Sequence, residues 1–371
     1  MIAGPRRRTP TLTRMPPQSG PNDPRRRRTL LDRLQGRGDS DLTPRAQAAA
    51  QARDPASFGR SGPPGRFAVE RGSASEQLAA RLDTASTRAL EARIDADPQL
   101  APIYRGVTDT TVARHLLLAF GAQLGDAELL ARTGLSTAQP PEGVHSMAQG
   151  PLAAAGGIYE ADMVADALAS AGVEIAAVRA GLDFGCSSGR VTRVLAAAYP
   201  GTRWIGCDPN EDAVAWAAGQ FPAVTWFASE NEPPLPLADG ELDLVYAVSI
   251  WSHFEPHFGL RWLEEMRRVL APGGHLVLTT HGWTALAYDA RNGRRPLEEC
   301  VEIERALGRE GHWFIDPFGE AGDWGVVNPL WGSAFVTADF LSEQLCPLWR
   351  VVEFVPGRNQ QNQDVYVLAR A

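Results

Sequence analysis

Apolar residues in the first half of the chain recur at spacings of three and four, which is the period of a helix with one buried face. This spacing predicts a helix over 76–97, ended by Pro98. It also predicts helices over 108–133, with a break at Gly121, and over 160–172. All of these segments precede the first predicted strand, so we expect them to cap the sheet that follows.

The pattern changes near residue 179, where short apolar runs begin to alternate with amphipathic segments. Strands that alternate with helices predict a parallel sheet. Two later apolar runs, 349–355 and 364–369, are close enough to pair as an antiparallel hairpin. We therefore expect a doubly wound α/β fold, with a mostly parallel seven-stranded sheet and an antiparallel last strand. The strands predicted before the hairpin are 179–184, 203–208, 224–229, 242–248 and 275–280, and the helices between them are 188–199, 210–220 and 257–270. In the last of these helices, Glu264 and Arg268 are spaced for an ion pair.

Composition divides the chain into three predicted regions. Residues 1–74 are rich in Pro, Arg, Gly and Ser with little apolar periodicity, so we predict a disordered tail. Residues 75–157 form a helical N-terminal region, and 158–371 form the α/β domain. Within that domain, 282–348 is long for a connection between strands, so we interpret it as an aromatic, substrate-side insertion.

The net charge of −8 is distributed unevenly. Residues 1–40 contain ten Arg and three Asp, a local charge of +7, which leaves −15 on the rest of the chain. An acidic folded region does not favour a nucleic-acid partner, although the basic tail is suited to contact an anionic one.

The four cysteines include no C-x-x-C pair, and no histidine lies at metal-ligand spacing from them. Neither a zinc site nor a disulfide framework is therefore predicted. No apolar run approaches the roughly 18 residues of a membrane span, and the N-terminus lacks the apolar stretch of a secretory signal. We expect a cytoplasmic protein in a reducing compartment. The sequence leaves the oligomeric state open.

A glycine-rich turn follows the first predicted strand, in the sequence LDFGCSSGR at 182–190. The next predicted strand ends in Asp208. A strand, a turn that opens a helix and an acidic strand end are typical of a nucleoside-cofactor site. A dinucleotide site requires three spaced glycines, but the corresponding residues are Gly185, Ser187 and Arg190, so a nicotinamide cofactor is disfavoured.

Four landmarks together resemble the class I S-adenosylmethionine-dependent methyltransferase family. The turn is similar to the family's G-x-G-x-G motif, with Ser187 in place of the middle glycine, and Asp208 matches its acidic residue at the second strand. PLPLAD at 234–239 resembles the family's run before strand four, and RVLAPGG at 268–274 resembles its turn before strand five.

The resemblance covers 158–281, and 349–370 more loosely, and it implies a Rossmann-like fold with S-adenosyl-L-methionine as cofactor. It implies that Asp208 accepts hydrogen bonds from the ribose hydroxyls, a task that suits a carboxylate because it only accepts. Ser229 and Glu230 correspond to the adenine-reading region, although a solvated loop explains them equally well. The cofactor-binding residues implied by the resemblance are Asp183, Gly185, Cys186, Gly189, Asp208, Ser229, Glu230, Val248 and Ser249.

Two histidines follow predicted strands and are candidates for a catalytic base. Methyl transfer is an in-line displacement, and it needs a base only when the acceptor must lose a proton. His253 follows the fourth strand and His281 the fifth. A structural role in a loop explains His253 equally well, and His281 has the alternative of a surface turn.

The insertion supplies aromatic side chains for which two interpretations are open. They could form a wall that excludes water or binds a sugar face or a quaternary ammonium. They could instead be the core of an extra subdomain, which we favour for at least two of the four. The residues are Trp283, Trp313, Trp324 and Trp331.

The predicted function is an S-adenosylmethionine-dependent methyltransferase (EC 2.1.1.-) acting on a small molecule, such as a saccharide or another polar metabolite. The alternative from another class is a non-catalytic binding module with this fold, which Ser187 favours. A nucleic-acid methyltransferase ranks lower, because SIW at 249–251 replaces the Asn/Asp-Pro-Pro-aromatic turn of amino-directed relatives. The sequence does not distinguish oxygen, nitrogen, carbon and sulfur acceptors.

Overall fold

The computed structural model describes residues 73–144, 153–345 and 347–371, which belong to the unit Thr43–Ala371. The predicted disordered tail therefore lies outside the described residues, except for its last two positions. Residue 74, which closes the predicted tail, is already the first residue of a helix.

The strands of the described residues are β1 (Ala180–Phe184), β2 (Arg203–Asp208), β3 (Thr225–Ala228), β4 (Leu242–Ala247), β5 (Leu270–Thr280), β6 (His312–Ile315), β7 (Ser333–Val336), β8 (Trp349–Asn359) and β9 (Gln363–Arg370). Seven of them form one sheet in the order β3-β2-β1-β4-β5-β9-β8, and β6 and β7 pair separately. Strands β1 to β5 pair in parallel, and β9 runs antiparallel to β5 and β8. The predicted doubly wound sheet and its antiparallel last strand are confirmed.

Strand β5 begins earlier than predicted, at Leu270 instead of 275. Its pairing with β4 shifts register, because Leu242 pairs with Leu270 while Leu244 pairs with His275. The extra residues include Gly273, whose φ of 77° only glycine adopts readily. The predicted turn before strand five is therefore a bulge inside the strand.

The helices are α1 (Ala74–Ala79), α2 (Thr84–Ala96), α3 (Ala101–Arg105), α4 (Thr110–Gln123), α5 (Ala127–Thr133), α6 (Ala153–Ser170), α7 (Thr192–Ala198), α8 (Glu211–Gln220), α9 (Pro256–Val269), α10 (Trp283–Asn292), α11 (Leu297–Arg309) and α12 (Ala338–Leu345). The single helix predicted over 76–97 is two helices. Asp83 separates them, because its side chain accepts the Ser86 N–H and caps α2.

The predicted break at Gly121 is wrong, because α4 continues through it. A Cβ at this position would lie 2.9 Å from Cδ2 of Leu90 in α2, so the glycine allows close helix packing. The break comes instead at Gly125, with a φ of 61°, and at Asp126, whose side chain accepts the Leu129 N–H.

Two hydrophobic clusters lie on the two faces of the sheet. One joins α1, α2, α4 and α5 to α6 and α7, with Leu118, Ile158 and Leu195 fully or almost fully buried. The N-terminal helices thus belong to the helical layer that covers one face of the sheet. The other cluster packs α9 on the opposite face through Trp262 and Met266.

Arg268 of α9 fastens the loop that precedes β4. Its Nη1 donates to the carbonyl of Leu237 and to Asp239, at 2.8 and 2.7 Å. Its Nη2 contacts Glu265 at 2.7 Å. The predicted pair with Glu264 is therefore wrong, because Glu265 points towards the same loop and is buried.

The insertion over 282–348 contains α10, α11, α12 and the β6–β7 pair. Trp313 is buried in β6 and lies 6.0 Å from the ring of Phe335 in β7. This tryptophan belongs to the core of the insertion. The segment between β6 and β7 carries Trp324 and Trp331.

Candidate functional site

A cavity of about 380 Å³ opens at the carboxyl ends of the parallel strands. It lies at the end of β1, which has β2 on one side and β4 on the other. The strand order reverses at this point, and open α/β sheets bind their ligands at such a reversal. It is lined by Phe184, Gly185, Ser187, Asp208, Pro209, Asn210, Ser229, Glu230, Asn231, Val248, Ser249, Ile250, His253, Phe254, Trp262, Asp323, Trp324, Val326, Asn328 and Trp331.

The turn after β1 is closed by hydrogen bonds to β2. The N–H groups of Gly185 and Cys186 donate to the carbonyl of Cys207, at 2.9 and 3.0 Å. Gly185 has a φ of 82°, and a Cβ there would lie 2.1 Å from Cδ1 of Ile250. Glycine is therefore required, both for its conformation and for space.

Ser187 occupies the position of the family's middle glycine and borders the cavity. Its φ is 49°, in the left-handed region that a side chain disfavours. The main chain holds this conformation through the Ser187 N–H, which donates to Oδ2 of Asp208 at 2.7 Å.

Asp208 ties the turn after β1 to the start of α8. Besides accepting from Ser187, it accepts the Asn210 N–H on Oδ1 at 2.9 Å. Asn210 in turn caps α8, because its side chain accepts the Ala213 N–H at 3.0 Å. These backbone bonds fix the carboxylate of Asp208 at the wall of the cavity.

Asp183, Cys186 and Gly189 do not line the cavity. Asp183 is buried behind the turn and accepts the Thr192 hydroxyl at 2.6 Å. Burial raises the pKa of Asp183 to about 6. Gly189 packs against Trp226, and a Cβ at Gly189 would lie 2.4 Å from the indole ring. Its role is thus to let the turn pack.

The thiols beside the turn are buried and free. Burial raises the pKa of Cys186 and of Cys207 well above the ordinary thiol value. Such thiols are poor nucleophiles and behave as small apolar side chains.

His253 borders the cavity and is fixed from two sides. Its Nδ1 lies 2.7 Å from the carbonyl of Gly332, and its ring stacks on Trp331 with centroids 4.7 Å apart. Because a carbonyl only accepts, Nδ1 carries the proton and Nε2 keeps its lone pair. Burial lowers the pKa of His253, which keeps the ring neutral near pH 7.

His281 does not line the cavity. Its Nδ1 is buried without a hydrogen-bond partner among the described residues, and its ring lies 5.1 Å from Phe335. Burial, with a contribution from neighbouring His253, lowers the pKa of His281 to about 3.

Ser249 follows β4 and is hydrogen-bonded to β5 and to the first residue of β9. It has a φ of 64°, and its N–H donates to the hydroxyl of Thr279 at 2.7 Å. The side-chain amide of Gln363 donates to its hydroxyl at 2.8 Å. Val248 and Ser249 line the cavity, as do Ser229 and Glu230 at the end of β3.

Sequence reasoning missed that the insertion reaches the carboxyl ends of β2 and β3. Asn210, after β2, donates from its side chain to the carbonyl of Trp324 at 3.3 Å. Asn231, after β3, donates to the carbonyl of Val327 at 3.4 Å. The aromatic content of the insertion was the only sequence signal, because the contacts join residues about a hundred positions apart.

Within the described part of the chain, no group of three or more His, Cys, Asp or Glu residues is arranged to hold a metal ion. None of the helices described is both long enough and apolar enough to cross a membrane.

A match to a family model includes the strand ends that border the cavity. Residues 182–274 match a family model described as a methyltransferase domain. The chain is 34% identical to a trans-aconitate 2-methyltransferase of Methylobacterium nodulans, over 29% of this chain and 40% of that protein. It is 33% identical to an uncharacterized 37.1 kDa protein in transposon TN4556 of Streptomyces fradiae, over 34% of this chain and 35% of that protein.

The matched region thus spans 35 to 40% of the length of the first curated relatives. Among solved structures, an S-adenosylmethionine-dependent methyltransferase from Mesorhizobium loti is 18% identical, with a TM-score of 0.37. That similarity covers 55% of this chain and 96% of the other.

Proposed function

We propose that this chain, whose residues 182–274 match a family model described as a methyltransferase domain, is a class I S-adenosylmethionine-dependent methyltransferase that methylates a small polar organic acceptor. One observation carries the proposal. A single cavity brings together Gly185, Asp208, Ser229, Val248 and His253 from the ends of β1 to β4, with Glu230 and Ser249 beside them.

The lining of the cavity fits S-adenosylmethionine. Asp208 borders the cavity with a carboxylate suited to two ribose hydroxyls. Among the lining residues described, Asp208, Glu230 and Asp323 are carboxylates and none is Arg. Such a lining favours a ligand with a cationic sulfonium, and it disfavours the anionic pyrophosphate of a nicotinamide dinucleotide.

In the proposed reaction, the protein has two tasks: it aligns the acceptor with the methyl group, and it removes a proton from the acceptor. When bound, S-adenosylmethionine would supply the methyl group: an in-line nucleophile forms a bond to that carbon as the carbon–sulfur bond breaks, and S-adenosylhomocysteine leaves. The turn after β1 and the segment after β4 orient the reacting groups. Nε2 of His253 accepts the proton of an acceptor hydroxyl, amine or thiol as the new bond to the methyl group forms.

The setting that we propose is the reducing cytoplasm. Cys186, Cys207 and Cys300 are free and buried, which fits a compartment in which thiols stay reduced. The acceptor is proposed as a small molecule because the curated relatives include enzymes named for trans-aconitate and thiol methylation.

The proposed function is tested by titrating the protein calorimetrically with S-adenosylhomocysteine and, separately, with NADH. We expect S-adenosylhomocysteine to bind and NADH not to bind. Asp208→Ala should weaken binding by roughly 1.5 to 3 kcal/mol, as expected for lost hydrogen bonds to a charged group.

Asp212→Ala is the matched control, because Asp212 is an exposed carboxylate in the first turn of α8 and does not line the cavity. The affinity of Asp212→Ala for S-adenosylhomocysteine should equal that of the wild type. Melting curves of both variants separate lost binding from lost folding, since Asp208 also accepts from Ser187 and Asn210. Absence of S-adenosylhomocysteine binding by the wild type would overturn the proposal.

A further inference from the structure

A tight turn of the insertion carries Trp324 to the cavity. Asp323 and Val326 exchange two backbone hydrogen bonds, each 3.0 Å long. The two residues between them, Trp324 and Gly325, have φ angles of 51° and 80°. Positive φ at both central positions defines a type I′ turn.

Tryptophan is a poor residue for the first central position of this turn. Asn, Asp and Gly are favoured there because a bulky side chain strains the left-handed conformation. Trp324 is also 52% exposed, so burial of apolar surface gives only a weak reason for a tryptophan here. A residue that opposes both turn stability and burial indicates a role outside folding.

The same backbone strain recurs around the cavity. Five described residues other than glycine have positive φ, and three of them, Ser187, Ser249 and Trp324, line the cavity. The other two, Gln360 and Gln361, lie in the turn between β8 and β9. Strained residues collect where a site is built in advance for its ligand.

The turn lies at the nucleoside end of the cavity. The carbonyl of Trp324 accepts from Asn210, which follows β2 and the ribose-side Asp208. The carbonyl of Val327 accepts from Asn231, which follows β3. His253 stacks instead on Trp331, at the other end of the same segment.

We propose that the indole of Trp324 stacks on the adenine of the bound cofactor, so that the insertion supplies a cofactor-binding side chain. This inference rests on the proposed use of S-adenosylmethionine. Indole and adenine both present flat π faces, and stacking of a base on an aromatic side chain contributes substantially to binding. The Asn210 and Asn231 contacts hold the turn in position for it.

The test compares Trp324→Asn and Trp324→Phe by calorimetric titration with two ligands. S-adenosylhomocysteine carries both the nucleoside and the amino acid portion, whereas 5′-methylthioadenosine carries only the nucleoside. We expect Trp324→Asn to bind both about 10-fold more weakly, since the stack involves only their common part. Trp324→Phe should retain most of the affinity because it keeps an aromatic face.

Stability provides a second readout. Asn is favoured in a type I′ turn, so the melting temperature of Trp324→Asn should equal or exceed that of the wild type. If Trp324 had only a structural role, its replacement would lower the melting temperature. Val327→Ala is the control, because Val327 is 54% exposed in the same segment and does not line the cavity. Its affinities should stay within about twofold of the wild type.

The outcomes separate the two proposals. Unchanged affinity of Trp324→Asn for both ligands overturns the stacking inference, while binding by the wild type still supports the cofactor. Weaker binding of S-adenosylhomocysteine alone also overturns it, because the indole would then act on the amino acid portion. Failure of the wild type to bind either ligand overturns the proposed function itself. If Trp324→Asn does not fold, an undiminished affinity of Trp324→Gly overturns the inference instead.

Discussion

Ser187 is the residue at which this chain departs from the family's glycine-rich turn, and it holds a conformation that favours glycine. Its φ of 49° is maintained by the hydrogen bond to Asp208, and its side chain is buried beside the cavity. The serine is therefore compatible with the same turn geometry. Ser187 is therefore weaker evidence for a non-catalytic binding module than it was from the sequence alone.

Substitution of Ser187 tests that interpretation. Ser187→Gly removes the strain, so it should bind S-adenosylhomocysteine at least as tightly as the wild type. Ser187→Val places a β-branched residue at positive φ and should destabilise the protein by about 1 to 3 kcal/mol. Urea unfolding and calorimetric titration measure the two effects. Weaker binding by Ser187→Gly would mean that the hydroxyl itself contacts the ligand.

His253 is the candidate base, and its substitution should separate chemistry from binding. His253→Ala should lower kcat by about 100-fold or more, the usual contribution of a general base. Its affinity for S-adenosylhomocysteine should be close to that of the wild type. The measurement is methyl transfer to an acceptor found by screening. Turnover at the wild-type rate would assign the ring a purely structural role between Gly332 and Trp331.

The pH dependence of turnover provides an independent test of His253 as the base. Burial lowers the pKa of His253 below its ordinary value of 6.5, so the base is neutral at pH 7. Turnover should therefore be constant from neutral pH down to below 6.5, and should then fall as the ring takes up a proton.

At the scale of elements, the sequence predicted the inner strands closely and the helices less well. The prediction for β2 agrees with the structure at both ends, and those for β1 and β4 differ by one residue. These strands are almost wholly buried, so their apolar runs end where burial ends. The prediction missed two helix starts. Asp83 and Asp126 each cap a new helix within a segment that was predicted as one continuous helix or as broken elsewhere.

The candidate site was predictable only where it follows strand ends. Asp208, Val248 and His253 could be placed because the carboxyl ends of parallel strands meet at one edge. Trp324 could not, because its position depends on long-range contacts with Asn210 and on a two-residue turn. Local patterns carry no information about such contacts.

At the scale of the whole molecule, buried titratable groups predict how stability changes with pH. His281 has a pKa of about 3 in the folded protein and near 6.5 in the unfolded chain. The unfolded state therefore binds more protons between these values, and stability falls as the pH drops below about 6.5. Asp183 acts in the opposite direction between about 3.8 and 6, because its folded pKa is raised.

A comparison with His281→Leu isolates the histidine, since Asp183 contributes equally to both proteins. Between pH 7.5 and 5.5, the free energy of unfolding of the wild type should fall by about 1.4 kcal/mol more than that of the variant. Urea unfolding at the two pH values measures this difference. Equal slopes would mean that the His281 ring becomes protonated without unfolding.

The segment from Asp323 to Gly332 contacts two different loops of the cavity wall. Its first turn is bonded to Asn210, beside the proposed donor site, and its last residue is bonded to His253, the candidate base. Under the proposed function, the insertion is therefore not an interchangeable specificity module. A chimera that exchanged it for the corresponding segment of a relative would then remake the proposed methyl-donor site along with the proposed acceptor site. If the donor and acceptor sites lie where we propose, a change of acceptor in this chain is thus constrained by the need to keep the donor.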